Sequence, residues 1–497
     1  MVDYPEPIPA RQTVVVVGGG IAGLSAAHRL LQSPARPTVL LLESRNRVGG
    51  LLHTIHRDGF LIEEAADSIA VSQVPWVSKL CHEIGMDDQF VPTQECQHQA
   101  LVQQRGRLLP IPPGFMLVAP TRIWPLVTTQ VLTLFGKLRL ALEPFIPAAR
   151  DMPDESVAGF ACRRLGRQAY ERLVRPVVES IYSADPDHIS LAAALPRFAE
   201  MERQFGSLYL AARNASRKHR RADSGGSHSL APQAPREGMS CIVEALARQL
   251  PDGTIKLNTR VEQIMRQNDK RWNIVATGDV PSTLIADSVI LATPAEVAAQ
   301  TIRSIDEGLA RELDIEYSQT IHVTLGYKCR QLTRSITAHG VFVPKAARRR
   351  VRSMTLCSEK FPNRAPQGIA QIRAALTSPA ADSSQGSESP RGPTPLPTLE
   401  HDELARIAAA EVAPLLGIQG TPIFHHVVHH RQALPQYQVG HLQRVARIES
   451  LLAAWPGLAL AGASYRGIGV PQCIRSGQEA ADQVLQYLRV RGTIGWH

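Results

Sequence analysis

Thr13-Val-Val-Val-Val-Gly-Gly-Gly-Ile-Ala-Gly23 is a valine run that passes without a break into G-x-G-x-x-G. Consecutive valines suit a strand buried on both faces, and Leu24, Ala27, Leu30 and Leu31 recur beyond the glycines at helical spacing. The stretch therefore predicts a strand, a tight turn and a helix over Ile21–Leu31. Gly18 permits the turn, Gly20 lets the backbone approach a pyrophosphate and Gly23 allows close helix packing. Ile21 and Ala22 open the helix, whose N-terminus faces the phosphate charge. A second apolar run, Thr38-Val-Leu-Leu-Leu-Leu-Glu43, completes a β-α-β unit with a parallel pair.

Glu43 stands twenty residues beyond Gly23, at the end of the second strand. A carboxylate there accepts hydrogen bonds from ribose hydroxyls and repels a 2′-phosphate, so the ligand is a dinucleotide of the FAD or NAD type. Next come Ser44 and Arg47-Val-Gly-Gly50, in which an arginine offers fixed-geometry donors to phosphate and glycines let the chain pass close to a ring.

Farther along, Trp76 to about Leu210 reads as mostly helical, with proline-rich interruptions at Leu109–Pro113 and Pro120–Pro125. Order of the first kind resumes with a helix from Ser240 to Gln249, strands at Thr254–Leu257 and Val261–Met265, and the buried strand Ser288–Thr293. Thr320–Tyr327 reads as a strand of a second sheet. The last block is a strand at Gly457–Gly462, a glycine-rich turn and a helix that begins near Pro471–Ile474 and runs to Leu488. Two segments are low in complexity: Asn214–Glu237 is basic and polar, and Pro379–Pro397 is rich in Ser, Pro and Gly. The expected division is 1–75, 238–300 and 441–497 for the cofactor domain, 76–212 for a substrate and helical region, 213–237 for a flexible basic loop, and 301–440 for the substrate domain with a disordered insertion at 379–398.

The net charge of +9 suits an anionic partner, but much of the excess sits in two short tracts, Arg213–Arg236 and Lys345–Arg352. No recognition module accompanies them, so no nucleic acid is expected. Cys81, Cys96, Cys162, Cys241, Cys329, Cys357 and Cys473 form no CxxC pair, which fits a reducing compartment. His322, His425, His426, His429 and His430 lack a carboxylate or cysteine at ligand spacing, so no metal is expected and they read as satisfied or exposed. Met1–Arg11 is acidic and proline-bearing, unlike a secretory signal, and no apolar run is long enough to cross a bilayer. A cytoplasmic chain is the expectation.

The segment Glu43–Gly50 resembles the extended FAD fingerprint of the flavin amine oxidase superfamily. With Gly18–Gly23, Leu434-Pro-Gln-Tyr-Gln-Val-Gly-His441 and Gly462–Gly477, it resembles the porphyrinogen oxidases of haem synthesis, which act on protoporphyrinogen IX or coproporphyrinogen III. Leu173–Tyr182, Ser183-Ala-Asp185 and Pro196-Arg-Phe match as well, so the likeness spans nearly the whole chain outside the two low-complexity segments.

That resemblance implies an α/β fold: a Rossmann-like FAD-binding domain, a p-hydroxybenzoate-hydroxylase-like substrate domain and an inserted helical domain linked to membrane association. It implies FAD as cofactor and a tetrapyrrole substrate. The reaction is then a six-electron oxidation in three cycles, with molecular oxygen reduced to hydrogen peroxide. Ferrochelatase, the inner face of the membrane and a second copy in a homodimer are the implied partners. It further implies that Gly18, Gly20, Ile21, Ala22, Gly23, Glu43, Ser44, Arg47, Gly49 and Gly50 hold the cofactor. Val261 reaches the adenine through its backbone, and Thr293, Ala463, Ser464, Val470 and Pro471 border the cofactor. Hydride removal needs chiefly an apolar slot, because the cofactor carries the electronic work, and no catalytic side chain stands out. Arg122, Lys137 and Arg139 are candidate anchors for propionates. The family's basic stretch after Asp67-Ser68 is replaced here by Ala70-Val-Ser-Gln73. An amine or carotenoid oxidoreductase of the same superfamily and a non-catalytic flavoprotein are the alternatives.

Overall fold

The computed structural model describes residues 12–494 apart from 72–73, 96–97, 117–118, 121–123, 150–153, 215–231, 280–281 and 378–395. Strand β1 (Thr13–Val17), helix α1 (Ile21–Leu31) and strand β2 (Thr38–Leu42) form where the sequence places them. A five-stranded sheet grows around β1 in the order Ile255–Lys256, β2, β1, Ser288–Leu291, Leu458–Leu460. Its neighbouring strands pair in parallel. Both faces are covered, which is why its strands carry continuous apolar runs. Val14 and Val16 pack with α1 and the C-terminal helix Val470–Ile494, while Val15 and Val17 pack with the helices Ala295–Ile302 and His441–Leu452.

The C-terminal helix lies directly on α1. A Cβ at Gly477 would sit 2.0 Å from the carbonyl oxygen of Ala22, so only glycine lets the two helices approach this closely. An antiparallel meander of Thr259–Arg266, Trp272–Gly278 and Ser282–Ala286 crosses beside the sheet.

The second sheet has seven strands, in the order Phe424–His430, Thr320–Lys328, Ile369–Leu376, Val351–Leu356, Ala338–Phe342, His98–Gln104 and Arg107–Pro110. Its apolar face packs on the helix His401–Leu416. The hairpin of β3 (Thr54–Arg57) and β4 (Phe60–Glu63) docks on its other face, where Phe60 stacks on Phe424 with ring centroids 4.1 Å apart. Helices between Trp124 and Phe205 form a separate apolar cluster around Phe160, Leu173 and Val178.

Three expectations need correction. The region after Trp76 is not uniformly helical: His98–Gln104 and Arg107–Pro110 are strands, fixed by pairing His98 beside Ala338. Their Gln-rich sequence carries little local preference, so the distant partner decides. Gln233–Pro235, inside the expected loop, is a strand paired with Phe90–Pro92. Leu396, inside the expected insertion, is buried in the core of the seven-stranded sheet. The rest of both low-complexity segments lies mainly outside the described residues.

Candidate functional site

The site begins at the turn after β1. Gly18 has φ of +105°, and a Cβ there would meet the Ala292 carbonyl oxygen at 2.6 Å. A Cβ on Gly23 would lie 1.9 Å from the oxygen of Gly18, so the first turn of α1 presses against the strand end. Gly20, the N-cap of α1, is different: a Cβ built on it meets nothing within 4 Å. There is therefore room beside Gly20 at the helix N-terminus, where backbone N–H donors are directed along the axis. Ile21 and Ala22, the next two residues, are buried in the packing of α1.

Glu43 locks this turn to the end of β2. Its carboxylate accepts the Gly19 amide at 2.6 Å and the Arg45 amide at 2.9 Å, with the Ser44 hydroxyl at 3.3 Å. Its carbonyl accepts the Thr259 amide, two residues before Val261, which ties the meander to the same corner. The Gly49 amide then returns to the Gly19 carbonyl at 2.8 Å, so the Gly49–Gly50 turn lies beside Gly20. Here the Arg45 and Arg47 guanidiniums both donate to the Gly50 carbonyl, each at 3.1 Å. Burial and the neighbouring Arg45 charge push Arg47 below its ordinary value. Two guanidiniums sharing one neutral oxygen beside a helix N-terminus are chemically suited to an anion such as a diphosphate. The side-chain oxygen of Thr293, next to Gly18, is buried and makes no hydrogen bond among the described residues. These features fit a bound dinucleotide.

The opposite wall is the loop Gly462–Gly469. The Gly462 amide donates to Ser476 Oγ at 3.0 Å, and Ser464 Oγ lies 2.6 Å from Tyr317 Oη. Tyr437, from the Leu434–His441 stretch, is the brace: its hydroxyl donates to the Ala463 carbonyl at 2.5 Å and accepts the Gly467 amide at 2.7 Å. Its ring stacks on His441, centroids 4.0 Å apart, and His441 Nε2 meets the Tyr465 carbonyl at 3.0 Å. Val470 opens the C-terminal helix, and the Pro471 carbonyl accepts the Trp76 indole at 2.8 Å. Tyr437→Phe leaves the half-buried Gly467 amide without its acceptor. A destabilisation of about 1–3 kcal/mol and faster loss of bound flavin are expected, read by thermal unfolding and flavin release. Unchanged release would contradict the bracing role.

Of the residues expected at the site, those from Gly18 to Gly50 converge on one corner, with Val261 on the strand Thr259–Arg266, Thr293 in the bend after Ser288–Leu291, and Ala463, Ser464, Val470 and Pro471 across from them. Lys137 and Arg139 do not join them. They sit on the helix Leu134–Ala141, where Lys137 donates to the Val127 carbonyl at 2.6 Å and Arg139 to the carbonyls of Arg163 and Arg164. Arg122 lies outside the described residues. Asp67 is held by Lys360 at 2.8 Å and Arg373 at 3.4 Å; although burial opposes its charge, these cations keep its carboxyl well below the usual range.

Sequence reasoning missed two groups. Arg45 was passed over although it shares the Gly50 carbonyl with Arg47. Glu64 was passed over too, yet it gathers His53, His322, His426 and His430 around it. The available signal was the alternation of His426, Val428 and His430, which puts both histidines on one face of a strand.

The profile of the family described as flavin containing amine oxidoreductase matches residues 21–485. The coproporphyrinogen III oxidase of Propionibacterium freudenreichii subsp. freudenreichii is 33% identical, covering 97% of this chain and 92% of its own length. That of Bacillus subtilis is 28% identical over 96% and 99% of the two chains. Protoporphyrinogen oxidase 2 of Arabidopsis thaliana is 24% identical over 98% and 96%. Among solved structures, one from Exiguobacterium sp. 255-15 superposes with a TM-score of 0.79 at 25% identity, covering 97% of this chain and 100% of the other.

Proposed function

The chain belongs to the flavin containing amine oxidoreductase family, and from that premise we propose that it oxidises a porphyrinogen to the porphyrin of haem synthesis, with FAD as cofactor and oxygen as acceptor. The observation that carries the reading is the Tyr437 brace, which joins the Leu434–His441 stretch to the loop closing the cofactor corner. Gly18–Gly23, the start of α1 and the Arg45–Arg47 pair would hold the diphosphate. Glu43 and Ser44 would face the ribose, the backbone of Val261 the adenine, and Gly49, Gly50, Thr293, Ala463, Ser464, Val470 and Pro471 the flavin. Bound there, FAD supplies a two-electron acceptor for hydride. The chain's own work is to place the substrate and keep water out. Coproporphyrinogen III is the preferred substrate in this reading, because the relative at 33% identity carries that name.

The test uses FAD-loaded protein given each porphyrinogen separately, with porphyrin fluorescence followed after oxygen is admitted. A kcat/KM at least tenfold higher for coproporphyrinogen III is expected. Equal or reversed values overturn the preference, and no gain over autoxidation with either substrate overturns the reading.

A peripheral seat on the inner face of the membrane belongs to the same proposal. Among the described residues no helix is long and apolar enough to cross a membrane. Phe135 is 83% exposed and Phe145 81% exposed, and Leu134, Leu138 and Leu142 lie exposed beside them. Such a contiguous apolar patch is unusual on a surface facing water. The double variant Phe135→Ser, Phe145→Ser is expected to weaken binding to anionic vesicles by about tenfold or more, with FAD content unchanged. Equal vesicle binding contradicts it. Homodimerisation and association with ferrochelatase complete the proposal. Sedimentation velocity of the FAD-loaded protein, alone and with ferrochelatase, reads both: a monomer alone and no co-sedimentation overturn them.

A further inference from the structure

Glu64 follows β4 and is gripped by four imidazoles from three separate segments. Its carboxylate accepts His53 Nδ1 at 2.8 Å and His426 Nε2 at 3.1 Å. Its carbonyl accepts His322 Nδ1 and His430 Nε2, each at 2.9 Å. The latter two rings meet edge to face, 5.4 Å apart. A carbonyl oxygen only accepts, so His322 carries its proton on Nδ1 and His430 on Nε2. In the neutral rings, His322 Nε2 and His430 Nδ1 are then bare lone pairs, and neither makes a hydrogen bond among the described residues.

The cluster adjoins the cofactor corner. His53 is three residues past Gly50, the Glu64 amide donates to the His53 carbonyl at 3.0 Å, and the Glu64 charge reaches the Arg47 guanidinium. The strand pairing of His430 with Thr320, and of His322 with Val428, puts both rings on the sheet face that the 53–67 segment covers. All four histidines are half-buried.

Each two-electron dehydrogenation of a porphyrinogen removes one hydride and one proton. Resting on the porphyrinogen reading above, we propose that His322 and His430, oriented by Glu64, take up that proton. A methylene C–H bond breaks with its electron pair leaving as hydride to the cofactor. A pyrrole N–H breaks with its pair staying in the new conjugated system, and the proton forms an N–H bond on the imidazole. Oxygen finally takes two electrons and two protons per cycle to give hydrogen peroxide, so the hydride and this proton account for both of its hydrogens. Glu64 is a positioning residue.

The surroundings of His322 favour its neutral ring. Burial, then Arg373, then His430 hold His322 down to about 3, so it passes a proton on rather than storing it. Burial opposes ionisation of Glu64, but hydrogen bonds from His426 and His53 outweigh it and bring the carboxyl to about 2. The other charges facing the cluster are Arg373, which donates to the carbonyls of Glu63 and Ala65 on either side of Glu64, and the Asp67–Lys360 pair. Glu63, turned toward the Met239 amide, is raised by burial.

The test exploits shape. Asparagine offers a donor where His322 has Nδ1, and glutamine where His430 has Nε2, so His322→Asn with His430→Gln keeps both bonds to Glu64 and removes both bases. In the FAD-loaded double variant, flavin content and thermal stability should match the parent while kcat falls ~100-fold with KM little changed. Added imidazole should restore part of kcat, and the acid limb of the kcat–pH profile should move. Separately, ¹⁵N spectra of the parent should show His322 protonated on Nδ1 alone. A double variant with parental kcat, or His322 protonated on Nε2, overturns the proposal. If the double variant fails to fold, His430→Gln alone and the ¹⁵N spectra decide it. A parent inactive toward both porphyrinogens with the predicted tautomer sinks the underlying reading, and the proton role with it.

Discussion

Gly23→Val yields protein without yellow flavin absorbance. The added Cβ would stand 1.9 Å from the Gly18 oxygen, 3.1 Å from the Gly18 carbon and 3.3 Å from Ala292 Cβ, and none of these is the far end of a flexible chain. Either the first turn of α1 or the end of β1 must shift, and both carry the proposed diphosphate contacts. A cost above about 3 kcal/mol in binding corresponds to more than ~100-fold weaker FAD. Gly20→Ala is the informative companion. Its Cβ meets nothing in the chain, so stability should stay near the parent, while the methyl group enters the space assigned to the ligand. The ratio of flavin absorbance to protein checks both, and a Gly23→Val protein with full flavin would refute the placement of the cofactor.

Arg164→Met has the second large effect, on stability. The Arg164 guanidinium is fully buried and pairs with the carboxylate of Glu143, itself 1% exposed. It also donates to the carbonyls of Ile146 at 2.8 Å and Gly206 at 2.7 Å. Glu143 in turn accepts Ser207 Oγ at 2.7 Å and the Leu208 amide at 2.9 Å, so this one pair closes the helical region. Removing the cation leaves a buried carboxylate uncompensated, which costs about 3–5 kcal/mol. Hydrogen exchange at the Leu208 amide should accelerate ~100-fold or more. The double variant with Glu143→Gln removes both charges and should recover much of the loss. Equal exchange in the single and double variants would show that the charge pairing is not the cause.

The contrast between these two sites explains what was legible in the sequence. The cofactor corner is written locally: Val14–Val17, the glycines and Glu43 lie within one β-α-β unit, and each has a fixed job in that unit. The closing wall was legible because Leu458–Gly477 carries its own strand, turn and helix start. The hairpin His98–Pro110 was not, because its strands are defined by pairing with Ala338–Phe342 rather than by their own apolar pattern. Glu64 was hidden for the same reason. Its four histidines come from positions 53, 322, 426 and 430; the register of two strands brings the last three together, and the hairpin that joins the Glu64 amide to the His53 carbonyl brings the first. Lys137 and Arg139 show the converse, since a cation on a helix face looks like an anchor until its carbonyl partners are seen.

The decisive measurement is oxygen uptake and porphyrin fluorescence recorded together on one preparation, with FAD bound, stripped and restored. The expected result is three oxygen molecules consumed per porphyrin formed, lost on stripping and regained with FAD. Porphyrin formed equally fast by the stripped protein, or none formed by the FAD-loaded protein, would contradict the assignment of the corner between Gly18 and Gly50 to an oxidase cofactor.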